Sequence, residues 1–142
     1  MKRLEKALVD KLRAQTTLVS ETGYSASCLA IAVVEPKQKI LIPGVYVDAD
    51  LSPMENADSS AIKQSEVTIY LVAKRRESLL NMAFAIESEF RDSNNREKKF
   101  DFTDANVYCI SSRWVNMGAP RWSDAHDCYE MPVNLFVRWS LK

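Results

Sequence analysis

Glycine is scarce in this chain of 142 residues, with three in all, Gly23, Gly44 and Gly118. They are too few and too scattered for a GxGxxG or GxxxxGK loop, which excludes nucleotide binding by those routes. Histidine is scarcer still, with His126 alone, and the three cysteines are an odd number without a CxxC pair. That pattern points to free thiols in a reducing compartment, not to a disulfide framework. An excess of one charge sign is also missing: 19 Lys and Arg face 19 Asp and Glu. No overall field is left to gather nucleic acid or an anionic membrane. The longest apolar runs, LAIAVV at 29–34 and AFAI at 83–86, fall far short of the roughly 20 residues of a membrane span. The opening MKRLEKALVDKLRA reads as an amphipathic helix and not as a signal peptide. These absences predict a soluble single domain over 1–142, long enough to bury about two thirds of the surface its unfolded form exposes.

What is present has clear periodicity. Leu4, Ala7, Leu8, Leu12 and Val19 recur near helical spacing while Lys2, Lys6, Lys11 and Arg13 fall elsewhere, predicting one helix over 2–19 with a single buried stripe. ASCLAIAVVE and ILIPGVYVD, separated by PKQK, predict two strands joined by a short turn. Pro43 favours an edge or a bulge there, because it has no N–H for a ladder. DADLSPMENADSSAIKQSE, residues 48–66, is predominantly polar and acidic and predicts a long exposed loop. EVTIYLVAK alternates as a strand, and from Glu77 to about Arg91 the positions Leu79, Ala83, Ile86 and Phe90 mark a second helix, flanked by Leu80, Met82 and Phe84. RDSNNREKKFDFTDAN is a polar connection. NVYCISSRWV and the strictly alternating YEMPVNLFVRWSL predict a C-terminal hairpin over 106–141, its reversal lying within Asn116–Asp127 around Gly118-Ala119-Pro120. The predicted class is α+β, a mainly antiparallel sheet of about five strands with two helices packed on one face, in the order α-β-β-β-α-β-β.

The stretch RWVNMGAPRWSDAHDCYE, residues 113–130, concentrates reactive residue types. Asp124, His126, Asp127 and Cys128 are all groups that zinc accepts, but a tetrahedral site needs three or four converging donors, usually as spaced pairs. Asp127 and Cys128 are neighbours, and in a strand they point to opposite faces. If Val115 faces Asp127 across the hairpin, Cys109 lies beside Val133 and Cys128 sits about 16 Å further along, beyond any disulfide. No glycine-rich oxyanion turn or helix N-terminus adjoins either cysteine, so a thiolate nucleophile with His126 as base lacks its support. Asp48, Asp50, Glu55 and Asp58 lack the glycine and the twelfth-position glutamate of a calcium loop. Lys74, Arg75 and Arg76 are too short a basic cluster, without interleaved aromatics, to specify nucleic-acid binding. No catalytic, cofactor-binding or metal-binding residue is therefore expected, and the chain is not expected to be an enzyme. What remains is contact. The candidate interface residues are Asp50, Met54, Glu55 and Asp58 in the acidic loop, Lys74, Arg75 and Arg76 after the central strand, and Trp114, Met117 and Trp122 at the hairpin tip. The alternative for both tryptophans is that they fold back onto the sheet.

The run EVTIYLVAKRRESLLNMAFAIESEF through NVYCISSRWV to YEMPVNLFVRWSLK, with the helix RLEKALVDKLRA and the PGVYV strand ahead of a polar loop, resembles the tail terminator or tail completion proteins of long-tailed bacteriophages. The resemblance covers nearly the whole chain and rests on layout, since that family has no invariant catalytic motif. It implies a structural virion protein at the neck of the tail, assembled in the host cytoplasm as a homohexameric ring. Such a ring caps the tail tube, ends its polymerisation and presents a surface to the head-tail connector. Its implied partners are other copies of itself, the tail tube protein and the connector or neck protein, with DNA only passing through the lumen and no membrane. A ring needs a heterologous interface, one patch meeting a different patch on the next copy. The acidic loop and the hairpin tip are the patches this implies, with Lys74–Arg76 or the N-terminal helix as the complement of the acidic one. Two other readings stay open from the sequence, another head-tail joining protein and a small nucleic-acid-binding α+β domain.

Overall fold

The structure, a computed structural model, describes residues 3–35, 37–50, 62–91 and 107–141. The chain opens with α1 (Arg3–Arg13) and α2 (Thr16–Thr22), followed by β1 (Ile31–Val33), β2 (Gly44–Asp50) and β3 (Ile62–Ala73). It continues with α3 (Arg76–Phe90), β4 (Val107–Met117), β5 (Arg121–Ser123) and β6 (Cys128–Leu141). The fold is α+β, a mostly antiparallel open sheet with its helices on one face. Among the described residues there are three helices and six strands where the sequence predicts two and about five.

The extra helix comes from a break in the predicted 2–19 segment. Gln15 adopts an extended conformation, and its side-chain oxygen accepts the Thr17 N–H at 2.7 Å, capping a new helix. Thr16 and Thr17, stiff at χ1, are weak formers of a continuous helix. Gly23 ends α2 in the left-handed region at φ 70°, its N–H donating to the Val19 carbonyl at 2.9 Å. Leu4, Ala7, Leu8 and Leu12 of α1, Leu18 of α2, and Leu79, Met82, Ala83, Ile86 and Phe90 of α3 all bury against the same sheet face. Polar ties join the layers: Arg13 Nε donates to the Ile31 carbonyl at 2.9 Å, and Glu21 accepts from Ser78 Oγ at 2.7 Å and from Asn81 at 3.2 Å.

Spatial strand order is β1-β2-β3-β6-β4, with β5 alongside β6. The long central pair is β3 and β6, antiparallel from Ile62↔Ser140 to Ala73↔Tyr129. Val67, Ile69, Leu71 and Ala73 meet Met131, Val133, Leu135, Val137 and Trp139 beneath the helices, as the period-two pattern predicts.

Three sequence expectations are corrected. The first concerns β1 and β2, which pair in parallel, Ile31↔Val45 to Val33↔Val47, and are not a hairpin. The intervening described residues, 34–35 and 37–43, cross the outer face of the sheet, opposite the helices. It is held there by Tyr46, whose hydroxyl accepts the Leu41 N–H at 2.6 Å and donates to the Leu41 carbonyl at 3.1 Å. Ile40, Ile42 and Ala32 pack on Tyr46, Val72 and Cys128, forming a second small core under this crossover. The second concerns the acidic segment, which is shorter as a connection than 48–66: β2 runs on to Asp50, paired with Glu66, and β3 begins at Ile62. A strand wins at 62–66 because Ser65 is buried there and accepts the Trp139 indole N–H at 3.1 Å. Residues 51–61 and the polar connection over 92–106 lie outside the described residues.

The third correction concerns the hairpin. Cys109 stands opposite Trp139, not Val133, and two register shifts between Cys109 and Asn116 move the pairing further. Gly118-Ala119-Pro120 is not the reversal. It is an interruption after which β5 resumes the ladder with β6, Arg121↔Glu130 to Ser123↔Cys128, and the turn itself is Asp124–Asp127. The interruption faces Pro132, which has no N–H to give, and Gly118 ties it with an N–H to the Pro132 carbonyl at 2.8 Å. With Cys109 at Trp139 and Cys128 at Ser123, the two thiols are eleven residues of β6 apart, about 36 Å, and none of Cys28, Cys109 and Cys128 is in a disulfide.

Candidate functional site: two unlike surfaces at one end of the sheet

Antiparallel register brings the end of β3, the start of β2 and the β5–β6 tip to the same end of the sheet. Lys74, Arg75 and Arg76 leave β3 here, close to the Asp124–Asp127 turn. Lys74 Nζ donates to the Asp127 carbonyl at 2.6 Å and lies 3.4 Å from its carboxylate. Arg75 pairs with Glu77 at 2.9 Å, and Arg76 is exposed at the start of α3. Asp50 lies at the opposite end: its partner Glu66 is eight residues before Lys74, about 26 Å along the strand. Met54, Glu55 and Asp58 fall within 51–61, outside the described residues.

Of the three tip residues named from sequence, two point inward. Trp114 packs on the main core with its ring 6.5 Å from that of Phe90, and Met117 also packs there. The third, Trp122, is 49% exposed. Its ring stands edge-on to Tyr129 at 5.0 Å, and its indole N–H donates to Asp124 at 3.1 Å, so it is held in place yet open to contact. The reason for the split is register. Trp114 lies opposite Leu135 on the helix-bearing face well inside the sheet, whereas Trp122 lies opposite Tyr129 at the end of the sheet, next to the Asp124–Asp127 turn.

The reactive-looking side chains of this stretch build the turn. His126 lies 3.1 Å from Glu130, its backbone N–H donates to Ser123 Oγ at 3.3 Å, and Asp127 takes the left-handed conformation at φ 51°, which aspartate tolerates. Among the described residues no three His, Cys, Asp or Glu side chains converge to hold a metal ion.

On the outer face the segment 34–43 leaves a cleft of about 300 Å³, which sequence reasoning missed. Val34, Ile40, Tyr46, Tyr70, Val72 and Glu130 line it together with Glu35, Lys37 and Gln38. Its lips Val34 and Tyr70 are both exposed. Nothing local signals it, because its walls come from four separated segments. Cys128 lies fully buried beside it. Burial pushes the Cys128 thiol above its ordinary value of 9.0, the Glu130 and Asp127 carboxylates add to the rise and the Lys74 ammonium opposes it. Burial likewise raises Tyr46 above 10.0, against the lowering effect of its Leu41 bond.

A pH prediction follows with its sign. The folded state keeps the Cys128 thiol neutral where the unfolded chain ionises it, so this contribution to stability is intact below pH 9.0 and erodes above it, with Tyr46 adding to the erosion beyond 10.0. Urea midpoints should be level near neutrality and fall in the alkaline range. In native protein Cys128 should alkylate about tenfold or more slowly than Cys28 or Cys109. Equal labelling of all three thiols, or a midpoint that climbs above pH 9.0, would contradict the burial argument.

No protein-family model matches the chain, and no curated protein matches it. Among solved structures, a chain of the structure described as "Virion of native gene transfer agent (GTA) particle" is similar at TM-score 0.66 and 13% identity, covering 96% of this chain and 94% of that one. A second solved chain is similar at TM-score 0.46 and 16% identity, covering 98% and 90%, too low a score to argue from. The helices, the sheet and their order are thus shared, nearly end to end, with one chain of a gene transfer agent virion structure.

Proposed function

We propose that this chain is a structural protein of a phage-like virion, acting as a tail terminator: a ring of about six copies that closes the tail tube and meets the head connector. The observation that carries this reading is the fold likeness to a chain of a virion structure over 96% of the length. The surface chemistry supports it. A ring needs two different patches per copy, and one end of the sheet offers a projecting aromatic on the helix-bearing face and an apolar cleft on the other. The basic cluster and Asp50 stand at opposite ends of the sheet, an arrangement that suits pairing between copies over pairing within one.

The test is assembly. Mass photometry of the purified chain should show a discrete species near six protomers, and virions lacking the protein should carry tubes of uncontrolled length by electron microscopy. Tubes of normal length in its absence would remove the terminator role.

A further inference from the structure

We infer that Arg113 and Arg138, with Gln64 and Ser111 beside them, form a binding site for a phosphate monoester on the outer face of the sheet. The site does not depend on ring assembly and needs no glycine-rich loop.

Register builds it. Val137 and Trp139 are buried on the helix side, so Phe136 and Arg138, alternating with them, point to the other face. Arg138 stands opposite Gln64 of β3 on one side and Ser111 of β4 on the other, and Arg113 stands opposite Phe136. These five side chains line a cleft of about 330 Å³. The two arginines are diagonal neighbours across the β4–β6 ladder, roughly 7–8 Å apart at the backbone. Eight residues of β6, about 26 Å, separate Arg138 from Glu130 in the apolar cleft under the crossover.

The lining chemistry is one-sided. Two guanidinium groups, a carboxamide and a hydroxyl all offer N–H or O–H donors, and no carboxylate lines the cleft. Among the described residues none of these four side chains makes an ion pair or a side-chain hydrogen bond. Glu66, next along β3 on this face, stands opposite Phe136 and lines a neighbouring cleft with Thr68 and Asn134. Two like charges on adjacent strands repel, and an anion seated between them replaces that repulsion with two attractions. A monoester fits better than a carboxylate, because one guanidinium fork already occupies both oxygens of a carboxylate, whereas a monoester has three for two forks. The cleft is larger than a phosphate alone requires, and Phe136 gives it one apolar wall for the organic group.

Calorimetric titration of the full chain at fixed ionic strength tests the site with four probes: inorganic phosphate, adenosine 5′-monophosphate, succinate and a thymidine oligomer without terminal phosphates. Phosphate and the nucleotide should each bind once per chain, and succinate more weakly than either. A tighter nucleotide identifies an organic phosphate as the ligand, and equal affinities identify free phosphate. Arg113→Gln and Arg138→Gln should each weaken phosphate about tenfold or more. Both arginines are exposed and repel each other, so neither variant should lower the melting temperature. Arg138→Lys keeps the charge but loses the fork, and should recover only part of the affinity. Should a glutamine variant melt lower, the lysine variants at 113 and 138 carry the comparison. No phosphate binding up to about 10 mM, weaker than any useful site, would overturn the assignment. So would full affinity in the glutamine or lysine variants, succinate binding as tightly as phosphate, or an oligomer that binds more tightly than the nucleotide, the mark of a general basic surface.

Discussion

Phe90→Ala is expected to lower the stability of the fold by about 3–5 kcal/mol, the largest loss from any single truncation considered. Phe90 is 1% exposed and is the last residue of α3, where the helix comes down on the far edge of the sheet. Its ring lies 6.5 Å from Trp114 at a 36° tilt, so it holds the inner side of the C-terminal hairpin as well as the helix end. Alanine leaves a void that Trp114 can enter only by giving up its contacts to the main core. The urea midpoint should drop and tryptophan emission should shift to the red as Trp114 gains water. A loss under about 1 kcal/mol would mean that the hairpin collapses into the void at little cost, and that its position does not depend on α3.

Gly44→Ala should cost about 1–3 kcal/mol by overpacking, a large effect for one methyl group on the first residue of a strand. A Cβ at this position would collide with the Leu41 carbonyl oxygen and stand 2.8 Å from Tyr46 Cε2 and 3.1 Å from its hydroxyl. Those are the two partners whose paired hydrogen bonds pin segment 34–43 to the outer face. The backbone oxygen has nowhere to go, so the crossover must lift. The second core then opens, and Cys128, fully buried in the wild type, should alkylate markedly faster. Unchanged labelling together with an unchanged melting temperature would show that the crossover absorbs the methyl group elsewhere.

How much of this was legible beforehand differs by element. In β6, Met131, Val133, Leu135, Val137 and Trp139 are buried while the residues between them are not, and that alternation was plain in YEMPVNLFVRWSL. α3 was legible for the same reason, except that Phe84, counted with its apolar face, is 61% exposed. For the candidate site, Trp122 could be named as a possible anchor, but nothing separated it from Trp114. Both were placed at the hairpin tip, and which one is covered depends on the register of the hairpin, which sets Trp114 and not Trp122 against Phe90 of α3. The cleft was invisible, since Val34, Tyr46, Tyr70 and Glu130 meet only after four segments have paired.

Periodicity, then, was enough to establish the class of fold and the inward faces of α3 and β6, because one-sided burial imprints a period on the chain wherever an element is long. The parallel pairing of β1 with β2, the true register of the hairpin and the inward turn of Trp114 came from elsewhere. Each depends on a contact between residues distant in sequence or on a local backbone interruption: Tyr46 on Leu41 across Gly44, Gly118 against Pro132, Phe90 against Trp114. Such contacts are matters of shape and leave no repeat to read. A three-residue strand such as β1 is too short to carry a pattern, and its partner is chosen by the path of the segment that follows it.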